Sequence, residues 1–314
     1  MTRSWLPGVF LALGTGLAML LILKAQPAMI VELFRRPSGP ILALAALCHV
    51  AILVTRAYRL FLLAGSTLSF FHAILLHTAA QTVAAVLPWR LGELALPPLA
   101  RWTLRTQLSR AAFWWLAGRF FDLWSLGVVA ALLALGGWLP RGLLGPAAAL
   151  VVVLSLAASL SARRRPWKWL ARLAPSRRWV KGLLRVRRLL AQLCRRPAQL
   201  LAVGTVSCLM WAAIVAFSTV VIAGMEVGLT LRQIFIGVLG ATVGAALPLA
   251  GPGNLGPLEA GFAGALALAG VPPGQALAVG FALHLWTLTF HLAVGSPCLY
   301  LLLSGTRSKE EGYT

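Results

Sequence analysis

The amino-acid sequence predicts an all-α fold: a polytopic integral membrane helix bundle of about eight spans, with two Pro/Gly-broken, re-entrant segments in two repeated halves. Three observations carry this. First, 60% of the 314 residues are hydrophobic types and only 11% are charged. An average soluble domain has about 25% charged residues, so this chain lacks the polar surface to cover a water-soluble core. Second, the apolar residues gather in runs about as long as a bilayer is thick. Third, 28 Lys+Arg against 7 Asp+Glu, a net charge of +21, fall largely between those runs. A nucleic-acid-binding domain would spread such charge through a polar scaffold; here the expected partners are membrane lipids with anionic headgroups, and no nucleic acid.

A hydrocarbon core of about 30 Å takes about 20 residues of helix. The runs that meet this are Leu6 to Leu23, Ile41 to Leu63, Ser69 to Leu87, Ala111 to Leu135, Leu143 to Leu160, Gln199 to Ala223, Gln233 to Leu249 and Gln275 to Leu303. The first follows Arg3 with no clear small-x-small cleavage site behind it, so it reads as a retained span. Cys48, Cys194, Cys208 and Cys298 lack C-x-x-C spacing and read as small buried hydrophobes. Neither a disulfide framework, a metal site nor any cofactor is expected.

Orientation follows from the basic residues, because short positively charged loops stay in the cytoplasm. Residues 163–197 form a basic loop in which Arg163 to Arg196 carries thirteen Lys/Arg and no acid. That loop is expected to be cytoplasmic in a multi-pass protein of the cell membrane. Alternating crossings then place Arg101, Arg105 and Arg110 on the same side and the corner at Gly65 on the other. Within the loop, Ser176 can cap a helix with Trp179, Leu183, Val186, Leu190 and Leu193 on one face and Arg177, Arg178, Lys181, Arg185 and Arg188 on the other. Such a helix suits the headgroup plane, its apolar face in lipid.

Two stretches are too rich in Pro and Gly for ordinary spans: Leu87-Pro88-Trp89-Arg90-Leu91-Gly92-Glu93 and Gly251-Pro252-Gly253-Asn254-Leu255-Gly256-Pro257-Leu258-Glu259. Both contain P-x-x-L-G followed by glutamate. Beyond each lies a second match, Asp122-Leu123-Trp124-Ser125-Leu126 and His284-Leu285-Trp286-Thr287-Leu288. Within a single transmembrane domain, 1–314, the order predicts an internal repeat of 1–138 and 141–303, parallel by span counting, or inverted with one further crossing. Unpaired peptide groups in lipid cost several kcal/mol, so broken backbone must face protein or water. Pro257 to Gly270 is too short to span and reads as a half-helix returning to its own side. Half-helix N-termini favour anions such as phosphate.

Charges in apolar segments mark candidate substrate-handling residues, because a charge at the bilayer centre costs at least about 2.5 to 3.5 kcal/mol. These are Arg90, Glu93, Arg119, Asp122, Asn254, Glu259, His284 and His291. Arg90 with Glu93, and Arg119 with Asp122, can pair at i,i+3. Glu259 has no obvious partner nearby in sequence and reads as awaiting something cationic. His284, Thr287 and His291 form one stripe of the last helix, and His77 with Gln81 another of the third span; packing and proton-relay roles are both open. No H-E-x-x-H, G-x-S-x-G, P-loop or dinucleotide motif occurs.

The segments Pro88 to Glu93, Gly118-Arg119-Phe120-Phe121-Asp122, Pro252 to Glu259 and Gly270-Val271-Pro272-Pro273-Gly274-Gln275-Ala276-Leu277 resemble the flippase-like transmembrane domain of lysylphosphatidylglycerol synthases and its stand-alone relatives. The resemblance runs from about residue 5 to 303. It departs at Gly118, where an acidic residue is usual, and at Asn254, where glycine is usual. It implies movement of an aminoacylated or glycosylated lipid between leaflets. Aminoacyl transfer in that family belongs to a separate soluble domain, and only about ten residues follow the last span here, so no enzymatic transfer is expected. The leading reading is a flippase or exporter of a phospholipid or glycolipid. The alternatives are an integral-membrane transferase using Asp122, Glu259 or His284 as base, and an accessory subunit that docks a lipid-biosynthesis enzyme through the basic loop.

Overall fold

The structure, a computed structural model, describes residues 6–87, 92, 94–161, 176–245 and 251–311. The expectations placed on Arg90, on Glu93 and on 163–175 of the basic loop lie outside the described residues. Regular structure among the described residues is entirely helical. The α-helices in chain order are α1 (Leu6–Lys24), α2 (Pro27–Arg35), α3 (Gly39–Ala64), α4 (Phe70–Val86), α5 (Leu96–Leu104), α6 (Leu108–Leu135), α7 (Leu144–Ser161), α8 (Arg177–Cys194), α9 (Pro197–Gly224), α10 (Leu231–Gly244), α11 (Pro257–Leu268) and α12 (Pro273–Glu311).

Within the described residues each apolar run of the sequence falls largely on a helix, and the protein is a multi-pass helical membrane bundle. Gly39–Thr67, Leu108–Leu135, Pro197–Gly224 and Pro273–Ser304 are long and apolar enough to cross a membrane. A fifth apolar stretch, Thr15–Lys24 with Pro27–Arg35, is bent by 80°. The bend has a local cause: Gln26 sits at φ 57, and Pro27 has no N–H with which to continue the ladder of α1.

The chain forms two compact units. The first comprises Met1–Ile52, Thr78–Ala95 and Ala213–Tyr300. Its core gathers Leu33, Phe217, Ile222, Met225, Phe262, Leu266, Val279 and Phe281. Trp286 stacks on Phe34 with ring centroids 4.5 Å apart, and its Nε1 donates to the Phe34 carbonyl at 3.1 Å. Helices α10 and α11 pack antiparallel through glycine. A Cβ on Gly240 would lie 2.3 Å from the Gly261 carbonyl oxygen, and one on Gly244 would lie 2.0 Å from the Pro257 carbonyl oxygen. Small residues let backbones approach this closely, which matters in lipid because burial from water does not drive helices together there. A capping box starts α10: the Thr230 Oγ1 accepts from the Gln233 N–H at 3.3 Å, and Gln233 Oε1 accepts from the Thr230 N–H at 2.9 Å.

The second unit comprises Leu53–His77, Leu96–Ala212 and Leu301–Thr314. Gln199 Nε2 donates to the Leu62 carbonyl at 2.6 Å, so the C-terminal end of α3 lies beside the start of α9. This corrects the alternating count, which sets the Gly65 corner opposite the end of the basic loop. Helix α8 also departs from expectation. Val186 and Leu193 are buried where α8 packs on α6 and α7, so at these two positions the apolar face lies against protein, while Leu183 and Leu190 are half-buried. Ser176 occupies the N-cap position without a side-chain capping bond. All four cysteines are free thiols, and none is the buried hydrophobe expected: Cys194 is exposed and Cys48, Cys208 and Cys298 are half-buried.

The glycine seam yields a paired test by thermal unfolding in detergent. Gly261→Ala pushes a methyl group to 2.2 Å from the Gly240 carbonyl and is expected to destabilise by about 1–3 kcal/mol, as overpacking does. Gly264→Ala, with nothing within 4 Å of the new carbon, is expected to leave the midpoint unchanged or raise it. Equal losses from both would contradict the seam.

Candidate functional site

In the second unit, Asp122 organises a charged cluster inside apolar helices. Arg59, on α3, is 5% exposed and its Nη1 donates to Asp122 Oδ1 at 2.5 Å. The same Nη1 reaches the Ser207 hydroxyl oxygen on α9 at 3.2 Å. Trp211 Nε1 donates to the Asp122 carbonyl at 3.1 Å, so one residue of α6 is tied to both neighbours. Arg119, one turn earlier on α6, lies 3.6 Å from Asp122 Oδ2, with 36% of its side chain exposed. The expected i,i+3 pair therefore exists, but it is the looser of the two. Arg56 stands one turn before Arg59, its Nε donating to Met210 Sδ at 3.4 Å. His77, on α4, lies within electrostatic reach of Arg56, Arg59, Arg119 and Asp122.

The local sequence explains the assembly. Arg56 and Arg59 share one edge of α3 at i,i+3 spacing, and Asp122 and Arg119 do the same on α6. Gly118 lies beside the Arg59 fork, where a Cβ would be in ordinary contact at 3.7 Å from Nη2. Chemically, guanidinium groups collected around one carboxylate suit a tetrahedral oxyanion such as phosphate, two of whose oxygens a planar guanidinium holds bidentately. Sequence reasoning missed Arg56, Arg59 and Ser207. The signal was present, since two arginines interrupt the run Ile41 to Leu63 with no acid beside them.

In the first unit, the two Pro/Gly interruptions converge on the end of α4. Asn254, at φ 59, donates from Nδ2 to the Ala84 carbonyl at 2.8 Å, while a Cβ on Gly92 would fall 2.2 Å from Ala84 Cα. Asn254 Oδ1 is buried with no hydrogen-bond partner among the described residues. Two residues beyond Asn254, Gly256 at φ 114 turns the chain into α11, with Pro257 opening the helix. There Glu259 is 0% exposed; its Oε2 accepts from the Gly256 N–H at 2.7 Å and its Oε1 is hydrogen-bonded to His284 Nδ1 on α12. Both oxygens are engaged inside the protein. This corrects the expectation of an unpartnered carboxylate awaiting a cation: the partner stands 25 residues away in sequence.

His291 Nδ1 donates to the Thr287 carbonyl at 2.9 Å, and the ring meets His49 edge-on at 4.6 Å. It is thus part of an aromatic packing group with Phe217 and Phe290. Arg119 and Asp122 belong to the second unit, whereas Asn254, Glu259, His284 and His291 belong to the first. Arg177, Arg178, Lys181, Arg185 and Arg188 all lie on α8, and Lys181, Arg185 and Arg188 are exposed.

The Arg59–Asp122 contact is open to a double-mutant cycle read by unfolding in detergent. Arg59→Gln and Asp122→Asn are each expected to cost about 3–5 kcal/mol, because each strands a buried charge. The double variant is expected to cost less than the sum of the two. Strict additivity would mean that the pair carries no coupling.

No curated protein and no solved structure shows a significant match to the chain. The family model described as the lysylphosphatidylglycerol synthase TM region matches residues 8–295. That span takes in both units' helices, the Asp122 cluster, both Pro/Gly interruptions and the Glu259–His284 pair. The chain belongs to the lysylphosphatidylglycerol synthase transmembrane-region family, and so to membrane proteins related to lipid handling.

Proposed function

We propose that the protein moves a phospholipid or glycolipid between the leaflets of the cell membrane, with the guanidinium groups around Asp122 receiving the phosphate of the headgroup. The observation that carries this reading is Arg59, 5% exposed in an apolar helix, with Arg56 and Arg119 beside it. A charge at bilayer depth costs at least about 2.5 kcal/mol, and replacing a buried ion pair with apolar residues is often neutral or stabilising. Stability alone therefore gives little reason to gather arginines there. A phosphate-bearing substrate does, and the partial exposure of Arg119 offers it a way in.

The broken segments supply the moving parts of this reading. Helices α10 and α11, at 14 and 12 residues, rise about 21 and 18 Å, short of the roughly 30 Å core. As a glycine-seamed pair they form a re-entrant hairpin, and the interruption after α4 is its counterpart in the first half of the chain. The repeat of the two halves rests on the sequence order alone, P-x-x-L-G before glutamate followed by the matches at Asp122 and His284. Rocking of such repeats about a headgroup site changes the exposed leaflet. The basic loop, by the positive-inside rule, faces the cytoplasm.

Reconstituted liposomes test this. The purified protein is expected to move a labelled anionic phospholipid between leaflets without changing its mass, and Arg56→Gln with Arg119→Gln to slow the movement at least about tenfold, the loss of more than about 1.4 kcal/mol of headgroup interaction, with thermal stability retained. Altered lipid mass would point instead to a transferase. A full rate with both arginines neutralised would remove the cluster from the path, and absence of movement would refute the reading.

A further inference from the structure

We infer that the exposed edge of α8 and the α5–α6 corner together form a binding surface for anionic phospholipid headgroups at one face of the membrane, separate from the cluster at Asp122. Lys181, Arg185, Arg188 and Arg195 are exposed and recur at helical spacing, while Val186 and Leu193, on the opposite side, are buried. Residues 176–196 contain no acid. Arg185 Nη1 donates to Ser109 Oγ at 3.4 Å, which joins α8 to the start of α6 and brings a second basic segment alongside. In that segment Arg101 and Arg105 are exposed and Arg110 is half-buried, and Arg105 turns the chain at φ 51. Trp102, 77% exposed, adds an aromatic ring of the kind that settles at headgroup level.

A topogenic signal needs only enough positive charge in the loop; it does not need that charge ordered on one edge of a helix with the other edge docked on protein. The ordering is what a surface ligand requires. Because α6 and α7 already cover the buried edge of α8, the remaining attraction is electrostatic and lacks the apolar insertion of a free amphipathic helix. Binding must therefore be strongly salt-dependent. Nucleic acid shares the phosphate chemistry, but the spans beside this edge bring it to a lipid surface.

Native mass spectrometry of the full chain in detergent, titrated with phosphatidylglycerol and with phosphatidylcholine, tests the surface. Each basic residue near an anionic surface contributes about fivefold in affinity, so Lys181→Gln/Arg185→Gln/Arg188→Gln is expected to lose on the order of a hundredfold in preference for phosphatidylglycerol. Arg141→Gln/Arg232→Gln, exposed arginines elsewhere, is expected to keep it. For the unmodified protein in detergent, binding of a fluorescent short-chain phosphatidylglycerol at this surface is expected to vanish near 1 M salt, where the screening length falls to about 3 Å. An undiminished preference in the triple variant, equal binding of the two lipids, survival at high salt, or tighter capture of an RNA oligonucleotide than of phosphatidylglycerol would each overturn the inference. None of these readouts requires lipid movement, so they stand apart from the translocation result.

Discussion

The guanidinium–carboxylate contact between Arg59 and Asp122 is the constraint on which the second unit depends, because the Arg59 guanidinium is buried where it has little water to fall back on. Arg59 Nη1 serves Asp122 and Ser207 at once, and the Asp122 carbonyl takes the Trp211 ring N–H. Three helices, α3, α6 and α9, are therefore fixed in rotation about their own axes by polar contacts rather than by their apolar surfaces. Apolar surfaces could not do it: α9 and α6 are hydrophobic nearly all round, and lipid tails solvate leucine as well as another helix does. An aspartate placed one residue earlier or later would face about 100° away and strand the arginine.

The first unit solves a different problem, that of ending helices inside the bundle. An interrupted helix exposes N–H and C=O groups that lipid cannot satisfy. At α11 the Glu259 carboxylate takes the Gly256 N–H and spends its other oxygen on His284, so the start of the helix is closed by one side chain held from α12. At α4 the Ala84 carbonyl, near the helix end, is taken by Asn254. The glycines around these points admit close backbone approach: Gly92 against Ala84, and Gly295, where a Cβ would fall on Thr82 Oγ1. Broken backbone is thus covered by protein on the sides that the described residues define, and Asn254 Oδ1 remains as a buried acceptor beside it.

Much of the architecture was legible in the sequence because span length is a one-dimensional property. The apolar runs became helices, and α4 stops at Val86, where the first Pro/Gly stretch begins. Pairing across helices was not legible. Glu259 finds His284 and Asp122 finds Arg59 through rotations and depths that an apolar background leaves unspecified, and i,i+3 reasoning sees only Arg119. Helix α8 shows the same limit: its periodicity marks an apolar face but not what meets it, and α6 and α7 lie against it where Val186 and Leu193 are buried. The Gly65 corner was misplaced for the same reason, since the Gln199–Leu62 contact that locates it is a pairing between distant segments.

The account turns on whether the charges at Asp122 are there for a lipid or only for each other. A density map of the protein in phospholipid nanodiscs decides this most directly. The account predicts a phosphate-sized feature within about 4 Å of the guanidinium groups of Arg56, Arg59 or Arg119, in a cavity open to one leaflet. A dry cluster in which protein carboxylates satisfy every arginine, with no opening to either leaflet, would contradict it.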